Sequence, residues 1–127
     1  MYNDNDGTWN SAFGYLALRT ATSSDYNVAM GAQSLYSLTT SQRNAGVGYR
    51  ALYGVTTGSS NTALGADAGS GITTGSSNIM IGDSVQALVG TLSNQLNIGN
   101  WIYGSGGKIS LGQTAVGSGA YTLDVQG

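Results

Sequence analysis

The stretch 61–78 reads NTALGADAGSGITTGSSN: it opens on Asn61 and reaches Asn78 seventeen residues later, where the pattern begins again. Working outward, the same phase carries Asn44, Asn27 and Asn10, and a glycine follows four residues after each asparagine, at Gly14, Gly31, Gly48, Gly65 and Gly82. In register the copies are NSAFGYLAL from Asn10, NVAMGAQSL from Asn27, NAGVGYRAL from Asn44, NTALGADAG from Asn61 and NIMIGDSVQ from Asn78. A sixth, QLNIGNWIY from Gln95, keeps the spacing at Gly99 and puts glutamine where the asparagine stood. A repeat this regular means that each copy meets its neighbours in the same way, so the unit of structure is one turn of a solenoid.

Seventeen residues are too few for a helix pair with its turns, and the copies lack a 3.6-residue apolar stripe. The expectation is an all-β fold, a parallel β-solenoid or β-roll of 17-residue coils. Each coil would hold one short strand around x-A-x-G and a second around the phase of Leu38, Val55, Ile72 and Val89. Parallel strands lie about 4.8 Å apart, so about six coils make a rod on the order of 30 Å long. The chain divides into a lead-in (1–9), the repeat (10–99) and a non-repeating tip (100–127).

One phase is apolar in every copy, at Phe13, Met30, Val47, Leu64, Ile81 and Ile98, and is read as core. The position before it (Ala12, Ala29, Gly46, Ala63) is small and would point to the opposite face, where the coil is thin. Leu18, Leu35 and Leu52 are read as rows that a lone coil leaves exposed and that assembly of three chains around an axis would cover.

The 127 residues include 21 glycines and no proline; 8% are charged and 40% apolar, and the apolar ones fall at fixed phases, which argues against disorder. A net charge of -2 gives no electrostatic footprint for nucleic acid, so no nucleic-acid partner is expected. Glycine, serine or asparagine interrupts every apolar run, so no membrane insertion is expected either. Without histidine or cysteine, nucleophilic triads and the usual zinc sites are excluded, and neither metal nor cofactor is expected. Carboxylates remain: Asp67 and Asp83 one coil apart, and Asp4, Asp6 and Asp25 near the start. Aspartates at corners are mostly turn formers, and the chain is read as having no enzyme activity.

The ladder Asn10, Asn27, Asn44, Asn61 and Asn78 is read as structural, amide bonded to amide along the rod. Thr39–Thr40, Thr56–Thr57 and Thr73–Thr74 would send adjacent hydroxyls to opposite faces, which speaks against an ice-binding plane. Arg50 and Asp67 share a phase and could pair across rungs. Arg19, Tyr36 and Tyr53 form another file, either packing or a sugar-binding strip. After Gly99 the spacing fails; Asn100, Trp101, Tyr103 and Lys108 are receptor-binding candidates, with Trp101 and Tyr103 equally readable as a cap on the last coil. Tyr121 to Val125 alternates as a half-buried strand.

At this point the chain resembles a known class. NTALGADAGSGITTGSSN is similar to the N-x-A-x-G repeats of bacteriophage tail fibres and tailspikes and, more distantly, to the head repeats of trimeric autotransporter adhesins. KISLGQTAVGSGAYTLDVQG, 108–127, resembles the segment that in many such fibres precedes a self-cleaving C-terminal chaperone domain. It departs from that pattern in carrying Gly117 to Gly119 where proline is common. The resemblance implies a homotrimer, intertwined or side by side, located in the virion and acting extracellularly. Its partners would be a host surface glycan or surface protein and, during assembly, the chaperone domain that is later cleaved off. A purely structural shaft, a bacterial trimeric adhesin head and a polysaccharide depolymerase with an inter-chain carboxylate pair are the alternatives.

Overall fold

The computed structural model describes residues 7–106 and 108–111. Asp4, Asp6 and the strand expected at Tyr121 to Val125 lie outside them. The fold is a parallel β-solenoid, with no helix among the described residues. Six three-residue strands, β1 (Ser11–Phe13), β2 (Val28–Met30), β3 (Ala45–Val47), β4 (Thr62–Leu64), β5 (Ile79–Ile81) and β6 (Leu96–Ile98), stack in chain order. Each pairs with the next in parallel, at the register Ala12↔Ala29, Ala29↔Gly46, Gly46↔Ala63 and Ala63↔Met80. Then the direction reverses. β7 (Ile102–Ser105) runs antiparallel to β6, and β8 (Lys108–Leu111) antiparallel to β7.

Inside and outside are the reverse of the sequence reading. The central residue of each strand points inward: Ala29, Ala63 and Met80 are buried, and so is Gly46. The flanking residues point out, so Phe13 is 77% exposed, Met30 51% and Leu64 50%. Val47, Ile81 and Ile98 are half-buried members of the same outward file. A second outward file runs from Ser11 through Val28, Ala45, Thr62 and Ile79 to Leu96. Leu18, Leu35 and Leu52, expected on the surface, are the core, packed with Leu38, Val55 and Ile72. The physical reason lies in the coil's width. Opposite the strand, the interior admits only one large layer, and the leucines fill it. A Cβ on Gly46 would come within 2.7 Å of Ser34 Oγ and 3.4 Å of Leu35 Cγ, so where a leucine fills the interior the strand's inward position has to be small.

Nor does the Leu38, Val55, Ile72, Val89 phase form a second strand; it passes through bends, with Leu38, Val55 and Ile72 buried and Val89 exposed. The rest of each coil is bonded rung to rung through irregular backbone, as in Leu35 N–H to Ala51 O at 3.0 Å and Thr39 N–H to Thr56 O at 3.0 Å. Left-handed corners replace extended chain. Tyr26, Arg43, Ser60 and Ser77 occupy one corner (φ 58–59°), and Gln33, Arg50 and Asp67 a second (φ 52–57°). At a third the leucines Leu18, Leu35 and Leu52 take φ 51–54°. Such a backbone costs an L-residue roughly 1 kcal/mol each time, offset here by hydrogen bonds repeated at every rung.

The two ladders that define the repeat have separate physical causes. Asn44 Nδ2 donates to Asn27 Oδ1 (3.1 Å), and the backbone N–H of Asn44 donates to that same oxygen (2.9 Å). Asn44 Nδ2 also reaches Gly58 O at 3.1 Å, and Asn44 Oδ1 accepts from Asn61 N–H and Nδ2, so one amide ties three coils. The pattern repeats from Asn10 to Asn78 and ends on Gln95, whose backbone N–H reaches Asn78 Oδ1 at 2.8 Å. The glycines are fixed by close approach: Gly48 sits at φ 134°, and a Cβ there would lie 2.3 Å from Gly65 O.

Candidate functional site

Two places carry the sequence-derived candidates: a lateral strip on the first coils and the tip where the stack reverses.

The strip is built by register. Residues seventeen apart fall on one line along the rod, so Arg19, Tyr36 and Tyr53 become neighbours. Tyr36 and Tyr53 stack with centroids 4.9 Å apart and planes 16° off parallel. The Arg19 guanidinium lies 5.3 Å from the Tyr36 ring centre and Nη1 donates to the Tyr36 hydroxyl. Arg50 lies 4.6 Å over Tyr53 and reaches Asp67 at 3.4 Å. The rings are thus stacked on one another and capped by guanidinium groups. A sugar needs a free aromatic face to lie on, and this strip keeps its faces to itself. The arrangement is that of a packing ladder. Its ion pair, with side chains 39% and 31% exposed, adds at most about 1 kcal/mol.

Each of the three described carboxylates engages a local partner. Asp67 is held by Arg50, Asp83 accepts from Ser84 Oγ at 3.3 Å, and Asp25 accepts from the backbone and hydroxyl of Thr8 at 2.7 and 3.0 Å. Each thus serves a local turn or rung. Among the described residues no cluster of three or more acidic, histidine or cysteine side chains is placed to hold a metal, and no helix is long and apolar enough to cross a membrane.

The threonines differ from expectation. None of Thr39, Thr40, Thr56, Thr57, Thr73 or Thr74 is buried, because the pair sits on a bend and not in a strand, so both side chains face out. The first of each pair spends its hydroxyl on the rod: Thr39 Oγ1 donates to Thr56 O (2.9 Å) and Thr56 Oγ1 to Thr73 O (3.2 Å).

At the tip, the last coil exchanges its alanine or methionine for Asn97, which is buried at the centre of β6. Its Nδ2 donates to Gln86 O (3.0 Å) and to Asn100 Oδ1 (3.0 Å), and its Oδ1 accepts the backbone N–H of Asn100 (3.1 Å). Asn100 is left-handed (φ 58°), as is Gly99 (φ 58°), and the Tyr103 hydroxyl approaches Asn100 Oδ1 at 3.4 Å. This network turns the chain back to form β7. Trp101 stands on the turn, 77% exposed, while Lys108 is exposed at the start of β8. The backbone of β7, Tyr103 included, pairs along the edge of β6, and β8 in turn pairs along β7. Asn97 is the tip residue that sequence reasoning missed; its signal was a polar residue at a phase otherwise occupied by alanine, glycine or methionine.

No family model, curated protein or solved structure matches the chain.

Proposed function

We propose that the chain is a distal segment of a bacteriophage tail fibre that attaches the virion to the host-cell surface as a homotrimer, without catalysis. The observation that carries this reading is Trp101. A tryptophan with 77% of its surface open to solvent, held on a turn braced by Asn97, Asn100 and Tyr103, presents a free aromatic face beside amide groups. That combination suits a surface glycan, which offers C–H faces for stacking and hydroxyls for hydrogen bonding. The repeats and the segment 108–127 that resemble tail-fibre sequences support the same assignment. Three shallow tips on one axis would bind a repeating surface polymer with an avidity 10²–10⁴-fold above a single tip.

The closed Tyr36–Tyr53 strip favours a second reading, a shaft whose receptor contacts lie on another part of the fibre. Binding of fluorescently labelled protein to bacterial cells separates the two. The attachment reading expects Trp101→Ala with Tyr103→Ala to lose binding at least tenfold while circular dichroism is unchanged. Equal binding by the variant leaves the shaft.

A further inference from the structure

We infer that the outward face of the β1–β6 sheet is the surface on which copies of this chain meet, side by side and parallel, each turning that face to a common axis. The inference rests on the fibre reading above and names the surface that holds the fibre together. Its first support is area. Side chains such as Phe13, Met30, Leu64, Val28 and Ile79, each 40% or more exposed, lie in two adjacent files along the stack. Large apolar side chains left open along a whole face expose more area than scattered single residues do, and patches of that kind mark association surfaces.

The second support is charge. None of the twelve outward positions of β1–β6 carries a charged residue. The residues flanking the strands do supply polar and aromatic groups, Tyr15 and Tyr49 on one side, Tyr26 and Arg43 on the other, all exposed or nearly so. An apolar centre with a rim of tyrosine and arginine is the anatomy of a protein interface.

The third is period. The ridges on this face repeat at the strand spacing of about 4.8 Å and share the twist of the sheet. A surface that keeps step with them over six rungs is one with the same rungs, which a second copy has and an unrelated globular partner lacks. A parallel arrangement sets each level against its own counterpart, so the largest side chain, Phe13, meets Phe13 near the axis.

The test uses the 127-residue chain, which contains no cysteine and weighs 12.9 kDa. Light scattering is expected to give three times that mass for the parent. Met30→Lys with Leu64→Lys should bring it to one chain mass with unchanged circular dichroism. Thr57→Lys with Thr74→Lys, on a different side of the coil, should leave it assembled. Phe13→Cys should form disulfide-linked pairs on mild oxidation. Should the lysine pair disturb folding, Met30→Gln with Leu64→Gln provides the same readout more gently. An assembly indifferent to Met30→Lys with Leu64→Lys sinks the interface and leaves the fibre reading standing. Cross-linking of Phe13→Cys to Ile98→Cys, but not to itself, overturns the parallel order. A parent that is monomeric overturns interface and trimer together. Loss of assembly in the variants, from a parent that does not bind cells, supports the interface and removes the attachment reading.

Discussion

Met80 occupies the space that Gly69 leaves empty. Earlier coils place Leu18, Leu35 and Leu52 at one phase and Ala12, Ala29, Gly46 and Ala63 at the other. Gly69 breaks the first series in the coil that still carries Ala63, and one coil later Met80 breaks the second. A Cβ on Gly69 would lie 3.3 Å from Met80 Cγ and 2.9 Å from Leu52 Cδ2, so the two positions share one pocket.

Met80→Ala should therefore open a cavity and cost about 2–5 kcal/mol, while Gly69→Leu alone should overpack by about 1–3 kcal/mol. The double variant restores the arrangement of the preceding coils and is expected to be more stable than either single change. Urea denaturation of all four proteins measures the coupling directly; additive losses would show that the pocket is not shared.

Asn44→Asp removes the Nδ2 donor that reaches Asn27, Ser41 and Gly58 and puts a carboxylate among buried acceptors. A loss of about 3–5 kcal/mol at neutral pH is expected, as for an unpaired buried charge. Burial raises that carboxyl's folded pKa above its unfolded one. The stability it retains is then fully present below the unfolded carboxylate range and lost as pH rises through the folded value. Thermal melts of the variant should accordingly move toward the parent in acid, and a pH-independent deficit would argue against a buried carboxylate.

Gly48→Ala should be among the most damaging single changes in the rod, because the new methyl falls 2.3 Å from a backbone oxygen that no side-chain rotation can move. A cost of about 3 kcal/mol or more is expected, against about 1–2 kcal/mol for Gly106→Ala, where only the left-handed φ of 59° opposes the change and nothing lies within 4 Å. Chemical denaturation checks the ratio.

Ser60→Gly should stabilise. Ser60 is an exposed left-handed corner at φ 59°, and relieving that backbone should gain up to about 1 kcal/mol, less the added entropy of an unfolded glycine. Ser60→Val, β-branched at the same corner, should lose more than is gained, and a calorimetric melt distinguishes the two by sign.

The period, the ladder asparagines and the close-packed glycines were legible because each repeats at one phase and each has a single physical cause. Inside and outside were not. Phe13, Met30 and Leu64 form an unbroken apolar file, and hydropathy alone assigns such a file to the core. What decides otherwise is a width that no local pattern encodes: the leucines, held in left-handed corners that an extended reading cannot supply, turn inward and take up the narrow interior. The same corners hid the threonine bends, since a TT pair is an ordinary strand signal until the backbone turns beneath it. At the tip, Trp101 and Tyr103 were visible as departures from the repeat, whereas the brace at Asn97 depends on a reversal of chain direction that becomes apparent only once β7 is in place.

The direction reversal at β7 also makes the rod a ruler. Every coil before it offers its successor the same set of donors and acceptors, so adding or deleting one whole 17-residue copy changes the length by about 4.8 Å and leaves both ends as they were. Any insertion off that period breaks the asparagine ladder at once. Length in such a molecule can change only in whole steps, and evolution, or a designer, can set it by counting copies.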